Sequence, residues 1–226
     1  HSVPGVTLDR KCGSFQQSVH FAAQAIATGV MDVVVASGVE MMSRIPMKTN
    51  RLGRDELGPM FAQEMPEGLI SQGISAELIA SRWELSRGKL DAFSARSHQR
   101  AARARDSGYL SDAIVPVEVD GATVTADEGI RDTTTEEILQ TLRPAFERAD
   151  MLERFPQIDW RVTAGNSSQV TDGAAATLVV SEEALERYGL TPRGKIVGMS
   201  VVGDDPIMML TGIIPATQKV LQQTGI

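Results

Sequence analysis

Cysteine is nearly absent: Cys12 is the one thiol in a chain of 226 residues. A lone thiol excludes an intrachain disulfide and any zinc site built from four cysteines. Histidine is almost as scarce. His1, His20 and His98 lie far apart, without ligand-like spacing, so no metal is expected. No stretch approaches the roughly 18 uninterrupted apolar residues of a membrane-spanning helix. No signal-peptide pattern is recognised at the start. A soluble, cytoplasmic protein with no membrane partner is therefore the expectation. Positive charge is in the minority: 22 Lys and Arg against 29 Asp and Glu give a net charge of −7. No basic field argues for nucleic acid. The one basic cluster, Arg96, Arg100, Arg103 and Arg105, would be spread by a helix over a solvated face. The G-x-G-x-x-G dinucleotide fingerprint and low-complexity tracts are missing too.

What remains is an ordinary globular composition, 42% hydrophobic and 23% charged, enough for one or two domains. The stretch around Cys12 is the most informative. Val6-Thr7-Leu8 reads as the end of a strand. From Gly13 the pattern turns helical, with Phe15, Val19, Ala22, Ala23 and Ile26 on one buried face and Gly29 closing the helix. Cys12 falls at the junction. Helix starts leave N–H groups unpaired and carry partial positive charge, which favours a thiolate. Arg10 and Lys11 can add to that field, and Gly13 leaves room for a substrate. On the residues alone, the alternative is a small buried hydrophobe, the commoner fate of a lone cysteine.

Asp32 to Ala36 reads as a central parallel strand, completing a right-handed βαβ unit. Residues 40 to 74 carry five methionines among prolines and glycines and keep no period. They either line a site or make a surface excursion. Two helices follow. Ser75 is predicted to cap the first, to about Leu85, and Ser86 the second, to Ser107. Leu90, Phe93, Ser97, Ala101 and Ala104 form the stripe by which the second should dock. Ala113–Val119 and Ala122–Thr125 pair through the Asp120-Gly121 turn. Thr134 and Glu137 suggest a capping box for a helix ending before Pro144. Then come a strand at Ala174–Val180, a helix capped by Ser181 and ending near Gly189, and a strand at Lys195–Val202. Pro215 opens a final helix.

D-R-K-C-G-S-F-Q-Q-S followed by V-V-V-A-S-G-V-E-M-M-S resembles the nucleophile segment of the thiolases. Five further strings keep the family's order: Q-G-I-S-A-E-L-I-A; L-D-A-F-S-A-R-S-H-Q-R-A-A; D-E-G-I-R-D-T-T with L-R-P-A-F; T-A-G-N-S-S-Q-V-T-D-G-A-A-A; and D-D-P-I-M-M-L-T-G-I-I-P-A-T-Q-K-V-L. The resemblance implies an α/β fold: an incomplete layered α-β-α core with an inserted α+β loop domain. Residues 1–39 and 170–192 would belong to the first core half, 40–169 to the loop domain, and 193–226 to the start of the second half.

It also implies chemistry. Cys12 matches the cysteine that is acylated. Arg131 matches a position that packs on the nucleotide end of coenzyme A, a role suited to a planar cation. On the residues alone an exposed, salt-bridged arginine is the better reading. Ala164 and Ser168 match positions beside the pantetheine arm, in a run that could otherwise be a simple turn. Coenzyme A or acyl-CoA would be a substrate, with no permanently bound cofactor, and the assembly a homodimer or homotetramer. The activity implied is thiolytic cleavage of a 3-ketoacyl-CoA, or the reverse Claisen condensation. The alternative is a non-catalytic, thiolase-like protein that binds CoA or lipid. A decarboxylating ketoacyl synthase fits less well, because of the insertion. Two departures stand out: Ser71-Gln72 where many members carry methionine second, and Phe15 where a small residue is commoner. The N-E-A-F and G-H-P strings and the second cysteine do not occur, and His20 and His98 lie in other segments. An internal fragment with little turnover of its own is the expectation.

Overall fold

The computed structural model describes residues 2–55 and 57–226. Two compact units form. One comprises His1–Glu56, Thr171–Val202 and Ile214–Ile226; the other Leu57–Val170 and Gly203–Ile213. Among the described residues, no helix is long and apolar enough to cross a membrane.

In the first unit, helix α1 (Ser14–Ala27) precedes strand β1 (Val33–Glu40). The face expected of α1 is the one that packs: Ala22 is buried, and Phe15, Val19, Ala23 and Ile26 are partly so. His20, which no apolar pattern pointed to, is buried with them. The helix closes at Gly29 in the left-handed region (φ +70°), as its sequence suggested. The strand meets α1 with its small residues, Ala36 and Gly38. A Cβ on Gly38 would lie 2.9 Å from the Phe15 Cβ. Gly38→Ala is therefore expected to cost about 1–3 kcal/mol through overpacking, read as a lowered Tm.

The partner of β1 corrects the parallel reading. Strand β4 (Gly173–Val180) runs antiparallel to it, from Val33 opposite Val180 to Glu40 opposite Gly173. A continuous apolar run reports burial, and burial alone does not set strand direction. Asp172 ties the ladder's end. Its carboxylate accepts the Ser43 hydroxyl and, at 3.0 Å, the Ser43 N–H. Those bonds, the hydroxyl's first, hold it below the usual carboxylate range.

Two predicted strands do not form ladders. Residues 6 to 8 pair with neither β1 nor β4, and Val6 is exposed. Residues 195 to 202 lie instead against the last helix, at 213–224, whose Lys219 Nζ donates to the Val201 carbonyl at 3.1 Å. β propensity describes a side chain that fits a pleated surface, and without a neighbouring strand it produces no ladder. Helix α7 (Glu182–Arg187) is capped by Ser181 as expected, its Oγ accepting the Ala184 N–H at 3.1 Å. Helix α8 (Ile213–Thr224) starts two residues before Pro215, which sits in its first turn. The Ser200 hydroxyl donates to the Ala216 carbonyl at 2.6 Å.

The second unit is mostly helical: α2 (Gly58–Glu64), α3 (Gln72–Arg82), α4 (Arg87–Asp106), α5 (Glu136–Gln140) and α6 (Ala149–Arg154), with the hairpin β2 (Val117–Val119) and β3 (Ala122–Val124). The hairpin turns at Asp120 and Gly121, both at positive φ, as the Asp-Gly pair requires. Strand β2 is shorter than the predicted Ala113–Val119. The core is Ile70, Ile74, Leu78 and Ile158, against which Phe146, Phe155 and Met208 pack.

Three helix details differ from expectation. Ser71, not Ser75, caps α3, accepting the Ile74 N–H, and Ser75 is fully buried one turn on. Thr135, not Thr134, caps α5, accepting the Ile138 N–H at 3.3 Å. Either residue in each pair can cap, and burial of the other decides. The docked face of α4 is also rotated. Asp91 and Ala95 are buried, whereas Phe93 is 65% exposed. The reason is a polar network around Asp91.

Candidate active site

Cys12 is exposed, two residues ahead of α1. It is reached through a tight turn rather than from a strand. Lys11 has φ +51°, left-handed for a residue with a Cβ. Such backbone costs on the order of 1–3 kcal/mol unless its surroundings fix it. Here they do. Asp9 Oδ1 accepts the Lys11 N–H at 2.8 Å, and the Ser14 hydroxyl donates to the Lys11 carbonyl at 2.6 Å. The same hydroxyl accepts the Arg10 N–H at 2.8 Å. Arg10 Nη1 donates to Gln17 Oε1 at 3.0 Å, so its charge lies along the first turn of α1. The D-R-K-C-G-S string is thus a self-bracing turn that sets an exposed sulfur at a helix start. The helix dipole there favours an anion.

Arg131, Ala164 and Ser168 all belong to the second unit and are exposed. Arg131 lies in the irregular segment between β3 and α5. Its backbone N–H donates to His98 Nδ1 on α4 at 3.2 Å. Ala164 opens a short 3-10 turn, Ala164–Asn166. Ser168 donates to the Gln169 carbonyl at 3.2 Å. Gln169 in turn joins the two loops, its Nε2 donating to the Gly129 carbonyl at 2.6 Å. The Arg131 and Ser168 segments are therefore held together. Cys12 stands in the other unit.

Two buried carboxylates that sequence reasoning missed hold the 161–167 run. Glu77, 1% exposed on α3, accepts the Arg161 N–H at 2.8 Å and the Val162 N–H at 2.7 Å. Asp91, fully buried on α4, accepts from Arg87 Nε at 2.8 Å and from Asn166 Nδ2 at 2.9 Å. Asn166 and Thr163 cap each other reciprocally: Asn166 Oδ1 accepts the Thr163 N–H at 2.8 Å, and Thr163 Oγ1 the Asn166 N–H at 3.3 Å. Gly165 lets this turn approach α5, since a Cβ there would lie 2.5 Å from Leu139 and Leu142 methyl carbons. A signal for Glu77 was present. It sits three residues after Ile74 and next to Leu78, on the apolar face of its helix.

Arg105 carries the electrostatics of the Arg131 loop. Its guanidinium donates to both Asp132 oxygens, at 3.0 and 2.9 Å, and to Asp106 at 2.8 Å. That pairing holds the Asp132 carboxyl below the ordinary range. A carboxyl lowered by folding stabilises the fold above its unfolded pKa, and loses that contribution as pH falls through the lowered folded value. Both groups are solvated, so the gain is small. In an NMR titration the Asp132 midpoint should fall below 3.8, and Arg105→Gln should return it toward that value. Among the described residues, no group of three or more His, Cys, Asp or Glu could hold a metal ion.

The chain as a whole has known relatives. Residues 1–183 match the family described as Thiolase, N-terminal domain. The steroid 3-ketoacyl-CoA thiolase FadA6 of Mycobacterium tuberculosis is 39% identical over 232 residues, covering 99% of this chain and 54% of that protein. The 3-ketoacyl-CoA thiolase of Bacillus subtilis is 38% identical, covering 100% of this chain and 58% of that one. The crystal structure of human mitochondrial 3-ketoacyl-CoA thiolase in complex with CoA superposes with a TM-score of 0.81 at 34% identity, over 99% of this chain and 56% of that one. The dimeric peroxisomal thiolase of Saccharomyces cerevisiae gives 0.82 at 33% identity, over 98% and 55%. The chain thus spans about half the length of the relatives it matches. Its α/β fold is thiolase-like, and the chain belongs to the thiolase family.

Proposed function

We propose that the intact protein containing this chain is an acyltransferase of the 3-ketoacyl-CoA thiolase type, with Cys12 as nucleophile. The observation that carries the reading is the exposed sulfur of Cys12 at the start of α1, inside the region that matches the family. In the degradative direction, the thiolate attacks the 3-keto carbon. Breaking the C2–C3 bond leaves the acyl group on sulfur as a thioester, and the acetyl-CoA carbanion takes a proton. Coenzyme A then gives up its thiol proton, attacks the thioester and releases Cys12. Splitting one hard step in two is the gain of covalent catalysis. The helix dipole and oxyanion donors would stabilise the developing charge. The group that activates the thiol and the proton donor are assigned to no residue of this chain.

Coenzyme A is the proposed co-substrate. Arg131 would meet its nucleotide end, and Ala164 and Ser168 its pantetheine arm: a small side chain to let the arm pass and a hydroxyl to bond its amides. Their exposure and the Gln169–Gly129 bond between their loops support this. A homo-oligomer, dimer or tetramer, is proposed for the whole protein. The test is acylation. Incubating the intact protein with an acyl-CoA should add one acyl group to the peptide containing Cys12, seen by mass spectrometry. An acyl-enzyme that still forms in Cys12→Ala overturns the assignment. CoA binding without acylation of the unaltered protein leaves the non-catalytic alternative in its place.

A further inference from the structure

We propose that His98 is a positioning residue for coenzyme A: its imidazole fixes the backbone of Arg131 and so aims that guanidinium at the nucleotide end. This rests on the reading of Arg131 given above. His98 is half-buried in the middle of α4, and its Nδ1 accepts the Arg131 N–H at 3.2 Å. An accepting Nδ1 means a neutral ring with its proton on Nε2. The segment from 125 to 135 has no helix or strand of its own. It is held from outside. Seven residues along the same face of α4, Arg105 grips the next carboxylate, Asp132. On the other side, Gln169 takes the Gly129 carbonyl. Asp132 and Gly129 are anchors beside Arg131; the His98 bond is made to Arg131 itself.

The consequence is one of preorganisation. Arg131 is exposed, and a long exposed side chain pays rotamer entropy when it closes on a ligand. The loop backbone that carries it must be ordered as well, and fixing the Arg131 peptide plane removes that backbone part of the cost before binding. Without the imidazole acceptor, the Arg131 N–H turns to water and the segment between the anchors loosens.

The test uses the full-length enzyme and calorimetric Kd values for coenzyme A. Arg131→Ala is expected to weaken binding. His98→Ala should weaken it by about three- to tenfold, the scale of one hydrogen bond. His98→Asn, whose Oδ1 takes the place of Nδ1, should stay within about twofold of the unaltered protein on the same scale. In the Arg131→Ala background, His98→Ala should add no further loss. His98→Leu keeps the bulk without the acceptor and repeats the measurement if the alanine variant is poorly folded. Normal affinity in His98→Ala or His98→Leu, with weakened affinity in Arg131→Ala, overturns the role of His98 alone. Unchanged affinity in Arg131→Ala overturns both the role and the reading beneath it. A loss that His98→Asn does not rescue, or that persists without the Arg131 side chain, marks a merely structural contact and also overturns the proposal.

Discussion

Replacing Cys12 by alanine in the intact protein is expected to reduce thiolysis by about four orders of magnitude or more, the scale on which loss of a covalent nucleophile is felt. The fold should survive. Cys12 is exposed, so alanine there leaves no cavity. The turn around it is held by Asp9 and Ser14 rather than by the thiol. Tm should therefore stay within about 1 °C of the unaltered protein, since exposed substitutions change stability little. Serine should be nearly as inactive, because its hydroxyl is not ionised at neutral pH as a thiolate can be. Steady-state assays with a short 3-ketoacyl-CoA measure the first result and calorimetry the second. Turnover surviving in Cys12→Ala would show that another group takes the acyl chain.

The second large effect falls on stability. Glu77→Ala removes the acceptor of two backbone N–H groups, those of Arg161 and Val162. Each donor left unpaired in the interior costs about 1–3 kcal/mol, so the variant should lose about 2–6 kcal/mol. For a domain of this size that lowers Tm by about 5–15 °C. Glu77→Gln keeps one acceptor oxygen and should lose roughly a third as much. Thermal unfolding of the three proteins gives the comparison. The damage should reach the proposed coenzyme A contacts, since Arg161 and Val162 lead directly into the Ala164–Asn166 turn. An unchanged Tm in Glu77→Ala would mean that water replaces the carboxylate.

Legibility varied with how local the cause was. The helix after Cys12, the hairpin at Asp120-Gly121, the Ser86 and Ser181 caps and the strand Gly173–Val180 were all readable, because each is decided within a few residues. The errors are as instructive. Ser71 and Ser75 are both competent caps, and so are Thr134 and Thr135; local chemistry does not choose within either pair. The stripe assigned to α4 failed for a different reason. Apolar periodicity assumes that only apolar side chains are buried, but Asp91 is buried because Arg87 and Asn166 satisfy it. Asn166 lies 75 residues away, so nothing near Asp91 announces the pairing.

The same division runs through the site. Order and identity of motifs were enough to place Cys12, Arg131, Ala164 and Ser168 as candidates and to give the family, since a chain's motifs are strictly local strings. Only folding decided the antiparallel partner of β1, the left-handed turn at Lys11 that leads into an exposed Cys12, and the buried carboxylates behind the 161–167 run. Each of these depends on groups distant in sequence or on a backbone angle that composition does not encode. A chain can display its reactive atoms in its spelling, but it holds them through partners it meets only when packed.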